Sequence, residues 1–232
     1  MTVTPTAIQM GMFYTGADMR VEGVIGAGAK VAVVVRGALE REVFNRKVKA
    51  GPIWINSGKV AISGVPSLFL RFTDGRLRDS LAREEIDRYQ IDQAAIQRRM
   101  EVDPDVDHEL MVASWLNLKA QDGKYALVRD GVKMGPPAGD VVPFKVEFPW
   151  PKRALPGEYS VSAYEYRDGK VIASVEVPLR VERVGFAAWM AGIVKERSLL
   201  YGVMAVVVAA ITGFGIDFLV ALIFGRKAAT AH

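Results

Sequence analysis

The chain contains no cysteine and only two histidines among its 232 residues. The missing thiols exclude disulfides, cysteine-ligated zinc, iron–sulfur clusters and thiol catalysis. They also exclude the C-x-x-C-H attachment of c-type haem. Such a chain is compatible with an oxidising compartment without requiring one. His232 is the last residue and His108 stands alone, so one chain cannot build a bis-histidine or histidine-rich metal site. As a general base His108 would need a nucleophile and an orienting group that no motif in the sequence points to, so it reads as a surface helix residue. A non-catalytic protein without a cofactor is therefore expected. The formal charge is +4, with basic residues mixed among acids along the chain. Nucleic acid is accordingly not an expected partner.

Two motifs fall short of the chemistry they suggest. "GVIGAGAK" (23–30) lacks the spacing of a phosphate loop, and a strand rather than a helix follows it, so it reads as a hairpin turn. "DPDVDHE" (103–109) places Asp103, Asp105 and Asp107 two apart, as some calcium loops do. The glycine such a loop needs at its sixth position is replaced by His108. Asp103-Pro104 instead predicts a helix start, with the aspartate capping and proline at the first helical position.

What the chain does have is β pattern. From residue 7 to 72, short runs rich in β-branched and aromatic residues alternate with glycine-containing turns, as in a sandwich or barrel. The continuous run "VAVVV" (31–35) belongs in the middle of a core. "RLRDSLAREEIDRYQIDQAAIQRRM" (76–100) reads as amphipathic helix, and a second helix runs from Asp103-Pro104 to Asp122-Gly123. Strands then resume. In "GEYSVSAYEYRDGKVIASVEVPLRVERVG" (157–185), period-2 alternation puts Tyr159, Val161 and Ala163 on the core side. Ser160, Ser162, Tyr164 and Tyr166 share the other, more polar face. Asp168-Gly169 marks a hairpin turn. "LPGEYSVSAY" looks like the opening of a late strand of an immunoglobulin-like sandwich.

The tail changes character. Residues 185–198 are amphipathic and carry Trp189, suiting the membrane surface. Residues 199–224 then hold a single charge, Asp217. At ~1.5 Å per residue they make a helix of about 39 Å, longer than the ~30 Å hydrocarbon core. The expected fold is mainly β: an immunoglobulin-like β-sandwich with a helical insertion, followed by one C-terminal transmembrane helix. The sections are a first β section (1–76), the insertion (77–122) and a second β section (123–184). A juxtamembrane helix (185–198), the transmembrane helix (199–225) and a cytoplasmic tail (226–232) follow. Lys195 and Arg197 at one end of the helix balance Arg226 and Lys227 at the other, so charge does not orient it. "MTVTPTAIQM" has neither a basic n-region nor an apolar h-region. Either the β domain is cytosolic or a signal peptide has been removed.

Several phrases in order resemble a family of uncharacterised proteobacterial membrane proteins, the alphaproteobacterial-type transmembrane family. They are "FYTGADMRVEG", "VVVRG", "GPIWIN" and "VPSLF", then "LPGEYSVSAYEYRDGKVI", "VGFAAWMA" and "LLYGVMAVVVA". The resemblance implies a cleaved signal, a periplasmic β domain and one C-terminal transmembrane helix in the bacterial inner membrane, with a cytoplasmic C-terminus. Some similar proteins are encoded beside exporters of the sulfite/taurine type. It supplies no catalytic residue.

Asp217 is the strongest candidate site residue. An ionised carboxylate at the bilayer centre costs about 2.5–3.5 kcal/mol on insertion scales, so such residues face protein or water. Ala205, Ala209, Gly213, Asp217 and Ala221 recur every fourth residue and let another helix approach closely. The alternative is snorkelling, or pairing with Arg226 of a neighbour. Two expectations follow: an accessory subunit meeting other integral membrane subunits and the lipid bilayer, or a module binding an anion through Arg36, Arg41, Arg46 and Lys47. The strand "REVFNRKVK" (41–49) could hold an anion or lipid headgroups or rest against an acidic partner, but it reads first as an ordinary solvated strand face. Trp54 reads first as a core or sheet-end aromatic, the other reading being an exposed anchor for a partner.

Overall fold

In a computed structural model of the chain, the described residues are 1–104, 107–185, 188–189, 192–193 and 198–224. The chain divides into two compact units, Met1–Glu182 and Arg183–His232. The first is the β domain. Most of the juxtamembrane segment, and the tail with Arg226 and Lys227, lie outside the described residues.

Thirteen strands are described: β1 (Thr2–Thr4), β2 (Ala7–Met10), β3 (Asp18–Gly26), β4 (Lys30–Gly37), β5 (Leu39–Ala50), β6 (Ile53–Pro66) and β7 (Phe69–Thr73), then β8 (Glu101–Asp103), β9 (Tyr125–Arg129), β10 (Val132–Met134), β11 (Val141–Pro149), β12 (Gly157–Arg167) and β13 (Lys170–Arg183). A four-stranded sheet has the order β1-β3-β11-β10, and a six-stranded sheet the order β2-β13-β12-β4-β7-β9. Their facing side chains form the first core. Val21, Phe144, Val146 and Phe148 come from one sheet, and Val31, Val33, Val35, Leu70, Phe72, Val161 and Leu179 from the other. Tyr159 donates its hydroxyl to the Leu155 carbonyl at 2.6 Å and meets Trp150 edge-on.

The run in β4 is apolar throughout because it is covered on both faces. Its odd residues fill the sandwich, while Ala32 and Val34 join a second core on the opposite side of the six-stranded sheet. That is the period-2 logic of a strand with no solvent face. The same geometry corrects the reading of β12. Tyr164 and Tyr166 do point away from the sandwich, but they are buried in this second core.

The helical insertion covers that face. It is not one long helix but a 3-10 turn (Leu77–Asp79) and two short helices, α1 (Arg83–Arg88) and α2 (Gln93–Gln97). The spacing explains the breaks. Leu81, Ile86, Ile91 and Ile96 lie five apart, and five residues rotate an unbroken helix by about 140° beyond a full turn. Breaks, with Gln90 in the left-handed region, return every one of them to the same core. Residues 101–103 depart from the helical expectation as well. They add β8 to β6, making a third sheet of order β5-β6-β8. Strand pairing thus claims Asp103, and α3 (His108–Gln121) starts later, with Asp107 at its N-cap. "IWINSG" and "KVAISG" run together in the 14-residue β6.

In the second unit, α4 runs over Ser198–Phe224. Its 27 residues span about 40 Å at ~1.5 Å each, and Tyr201–Ala221 is long and apolar enough to cross a membrane.

Candidate functional site

Ala205, Ala209, Gly213, Asp217 and Ala221 all lie on α4. At about 100° per residue, a four-residue step advances 40° beyond a full turn. The row from Ala205 to Ala221 therefore winds through about 160°, while Ala209, Gly213 and Asp217 stay within about 80°. The small residues thus form a stripe that winds round the helix rather than one straight face, with Asp217 next to last in it. Thr212 returns its hydroxyl to the Val208 carbonyl at 2.8 Å, so its polar group is satisfied inside the helix.

The four basic residues expected to hold an anion do not converge. Arg36 projects from β4 under the helical layer. Its Nη1 donates to Tyr164 Oη at 2.9 Å, and its Nη2 donates to the Tyr89 and Gln90 carbonyls at 2.8 and 2.9 Å. It thereby caps the end of α1. Arg41 lies 3.9 Å from Asp103 and Arg46 3.7 Å from Asp107. Both stand where the β5–β6 register slips, next to β6 glycines of positive φ, Gly64 and Gly58, and such slips are β-bulges. Lys47 is exposed further along the hairpin, opposite Asn56. Trp54 is opposite Lys49 in β6; its side chain lies outside the described residues. Asp103 and Asp107 are accounted for by their strand and helix roles, and Asp105 is not among the described residues.

A different group of polar side chains does come together. A cleft of about 510 Å³ is lined by Lys30, Arg78, Asp79, Ser80, Tyr166, Arg167 and Asp168 among others. Three distant segments build it: the start of β4, the turn after β7 and the β12–β13 hairpin. Lys30 is the direct partner of Tyr166 in the β4–β12 register and donates its Nζ to Ser80 Oγ at 2.8 Å. Arg167 donates to the Ala27 carbonyl at 2.7 Å. Tyr166 is 1% exposed, and its hydroxyl has no hydrogen-bond partner among the described residues. Burial, and then the Asp74 carboxylate, push its phenol up to about 12, with Arg71 pulling the other way. Behind the cleft, Arg71 Nη1 donates to Asp92 Oδ1 at 2.7 Å, and Arg78 Nη2 to Asp92 Oδ2 at 3.1 Å. Sequence reasoning missed this cleft, and alternation could only have placed Tyr166 beside Lys30 once the strand pairing was known.

Comparison with known proteins adds one finding. A family described as "Putative transmembrane protein (Alph_Pro_TM)" matches residues 1–221. The chain belongs to this family. No curated protein matches, and no solved structure does. The span matched to Alph_Pro_TM takes in the whole β domain and the apolar helix α4 through Ala221, Asp217 included. Membership and the apolar helix together make this a membrane-associated protein with one candidate transmembrane helix and a β-rich domain.

Proposed function

We propose that this member of the family is a non-catalytic, single-pass accessory subunit of a larger inner-membrane complex, respiratory or transport. The β domain lies in the periplasm and the C-terminus in the cytoplasm. The β domain is taken as immunoglobulin-like. Support for that is the strand order β1-β3-β11-β10 against β13-β12-β4, with the Tyr159–Leu155 hydrogen bond at the start of β12, both features of such sandwiches. The partners are other integral membrane subunits. Asp217 carries the proposal: an acid set in the apolar Tyr201–Ala221 span is costly in lipid and is relieved by a protein or water neighbour.

The test is purification of the intact protein in mild detergent with identification of co-purifying subunits. Asp217→Leu is expected to release them and Asp217→Asn, which keeps hydrogen bonding, to retain most of them. Unchanged co-purification of Asp217→Leu would sink the proposal. A second reading, an anion-binding module serving an exporter, draws its support from the Lys30–Arg78–Arg167 cleft rather than from Arg36, Arg41, Arg46 and Lys47. Sulfate or phosphate should then raise the melting temperature of the intact protein but not of Lys30→Gln/Arg167→Gln. An equal response in both abandons that reading.

A further inference from the structure

The β5–β6 hairpin extends past the rest of its sheet. The third sheet is three strands wide only where β8 meets Ala61, Ile62 and Ser63. Beyond Asn45 and Lys59 the paired strands continue to Ala50 and Ile53 as a two-stranded ribbon. That is five residues of β5 past Asn45, roughly 17 Å at ~3.3 Å each. Such a ribbon is marginal on its own, yet its end carries apolar side chains to solvent. Val48 is opposite Ile55 and Ala50 opposite Ile53, giving one face an aliphatic patch. Ile53 is 59% exposed and Ile55 43%. On the other face Lys47 is opposite Asn56, and Lys59 is opposite Asn45. Residues 43–66 contain four basic side chains, Arg46, Lys47, Lys49 and Lys59, and no acid.

We propose that this hairpin tip docks on the anionic surface of the bilayer that holds α4. Charge argues for lipid over a protein occupant, because lysine is depleted in the cores of protein interfaces. Basic side chains flanking an aliphatic patch are instead the chemistry that binds anionic headgroups and the acyl boundary together. The membrane is also always at hand, since the same chain carries the spanning helix, and tethering raises the effective concentration of a weak second contact. The inference stands apart from the subunit proposal: it needs the helix to be in a bilayer and needs no partner.

The chain's lack of cysteine makes the test direct. Full-length protein with Ile55→Cys, labelled with an environment-sensitive fluorophore, is reconstituted in nanodiscs. One set holds phosphatidylcholine alone and the other equal parts phosphatidylcholine and phosphatidylglycerol. Asp140→Cys, on the loop before β11, serves as the exposed control. In the anionic discs the label at 55 should shift to the blue and be quenched by nitroxide-bearing lipid, while the label at 140 does neither. Lys47→Gln, Lys49→Gln and Lys59→Gln change exposed side chains, so the fold is retained. Each should lower the inserted-to-free ratio about five-fold, as should added salt. A label at 55 as accessible to aqueous quencher as that at 140 overturns the proposal. So does protection that appears only when another protein co-purifies, which would make the hairpin a protein-docking surface.

Discussion

Asp92→Asn is the perturbation that best tests how the helical insertion is held on the sheet. Asp92 is buried, and its carboxylate meets the equally buried Arg71 guanidinium at 2.7 Å. The same carboxylate caps α2 by accepting from the Gln93 backbone N–H at 2.8 Å. Burial pulls the Arg71 pKa down, against the opposing pull of Asp92; the guanidinium nonetheless keeps its charge at any ordinary pH. Asparagine preserves the cap but removes the countercharge, leaving a buried cation uncompensated at a cost of about 3 kcal/mol or more. Alanine forfeits the cap too, adding about 1 kcal/mol. The contact with Arg78 adds little, because that side chain is largely exposed and such pairs contribute about 1 kcal/mol at most. For a unit spanning Met1–Glu182, each kcal/mol moves the melting temperature by about 2–4 °C. Asp92→Asn should therefore melt about 6–12 °C lower, and Asp92→Ala lower still. Arg71→Leu/Asp92→Asn, which removes the stranded charge and keeps the cap, should recover most of the loss. Circular dichroism melts of the full chain in detergent read all three variants. An Asp92→Asn melt within about 1 °C of the parent, or a double variant no better than the single, refutes the account.

Alkaline stability should fall in a defined window. Folding raises the Tyr159 and Tyr166 phenols from 10.0 to about 12, burial being the main cause in both. The folded chain thus keeps protons that the unfolded chain has released, so this stability is whole below pH 10 and is lost as pH climbs towards 12. The loss is about 1.4 kcal/mol per pH unit and per phenol. Tyr166→Phe should flatten its share of that slope without lowering the neutral-pH melting temperature, since its hydroxyl has no partner among the described residues. Tyr159→Phe should cost about 1 kcal/mol with its hydrogen bond, and equal neutral-pH losses in the two variants would contradict this. At Gly64, φ is +78° and an added Cβ would stand 2.7 Å from the Arg99 carbonyl. Gly64→Ala should therefore cost about 2 kcal/mol or more, strain plus clash. Gly58→Ala, with open space around it, should cost less, and thermal melts that reverse this order would refute the bulge geometry.

The strands and the long apolar helix were legible because each announces itself locally. Alternation marks Tyr159, Val161 and Ala163 as core, and an apolar run of that length has few other uses. The second core was not legible. Tyr164, Tyr166 and Ser162 look like a solvent face until Leu77, Leu81, Ile86, Ile91 and Ile96 are laid over them, and nothing local encodes that covering. The five-residue spacing of the isoleucines was a missed clue, since no straight helix aligns it. Basic residues close in sequence misled for a related reason. Successive strand positions point to opposite faces, so Arg46 and Lys47 part company, whereas Lys30, Arg78 and Arg167 meet from segments far apart.

The distribution of covered and uncovered surface limits where this domain can act. The central strands β4 and β7 are buried on both faces, and α1, α2 and the 3-10 turn are committed to closing the second core. A ligand or partner cannot reach the middle of the six-stranded sheet without unfolding that layer. What stays available in the β domain includes the hairpin tip and the cleft beside Tyr166, and the membrane helix adds Asp217. The substitutions separate these three. Asp217→Leu alters helix assembly and leaves the hairpin lysines intact. Lys47→Gln, Lys49→Gln and Lys59→Gln weaken headgroup contact and leave α4 intact. Lys30→Gln/Arg167→Gln changes only the cleft. If the hairpin variants lost co-purifying subunits while the Asp217 variant kept them, partner contact would run through the β domain and the helix would be an anchor alone.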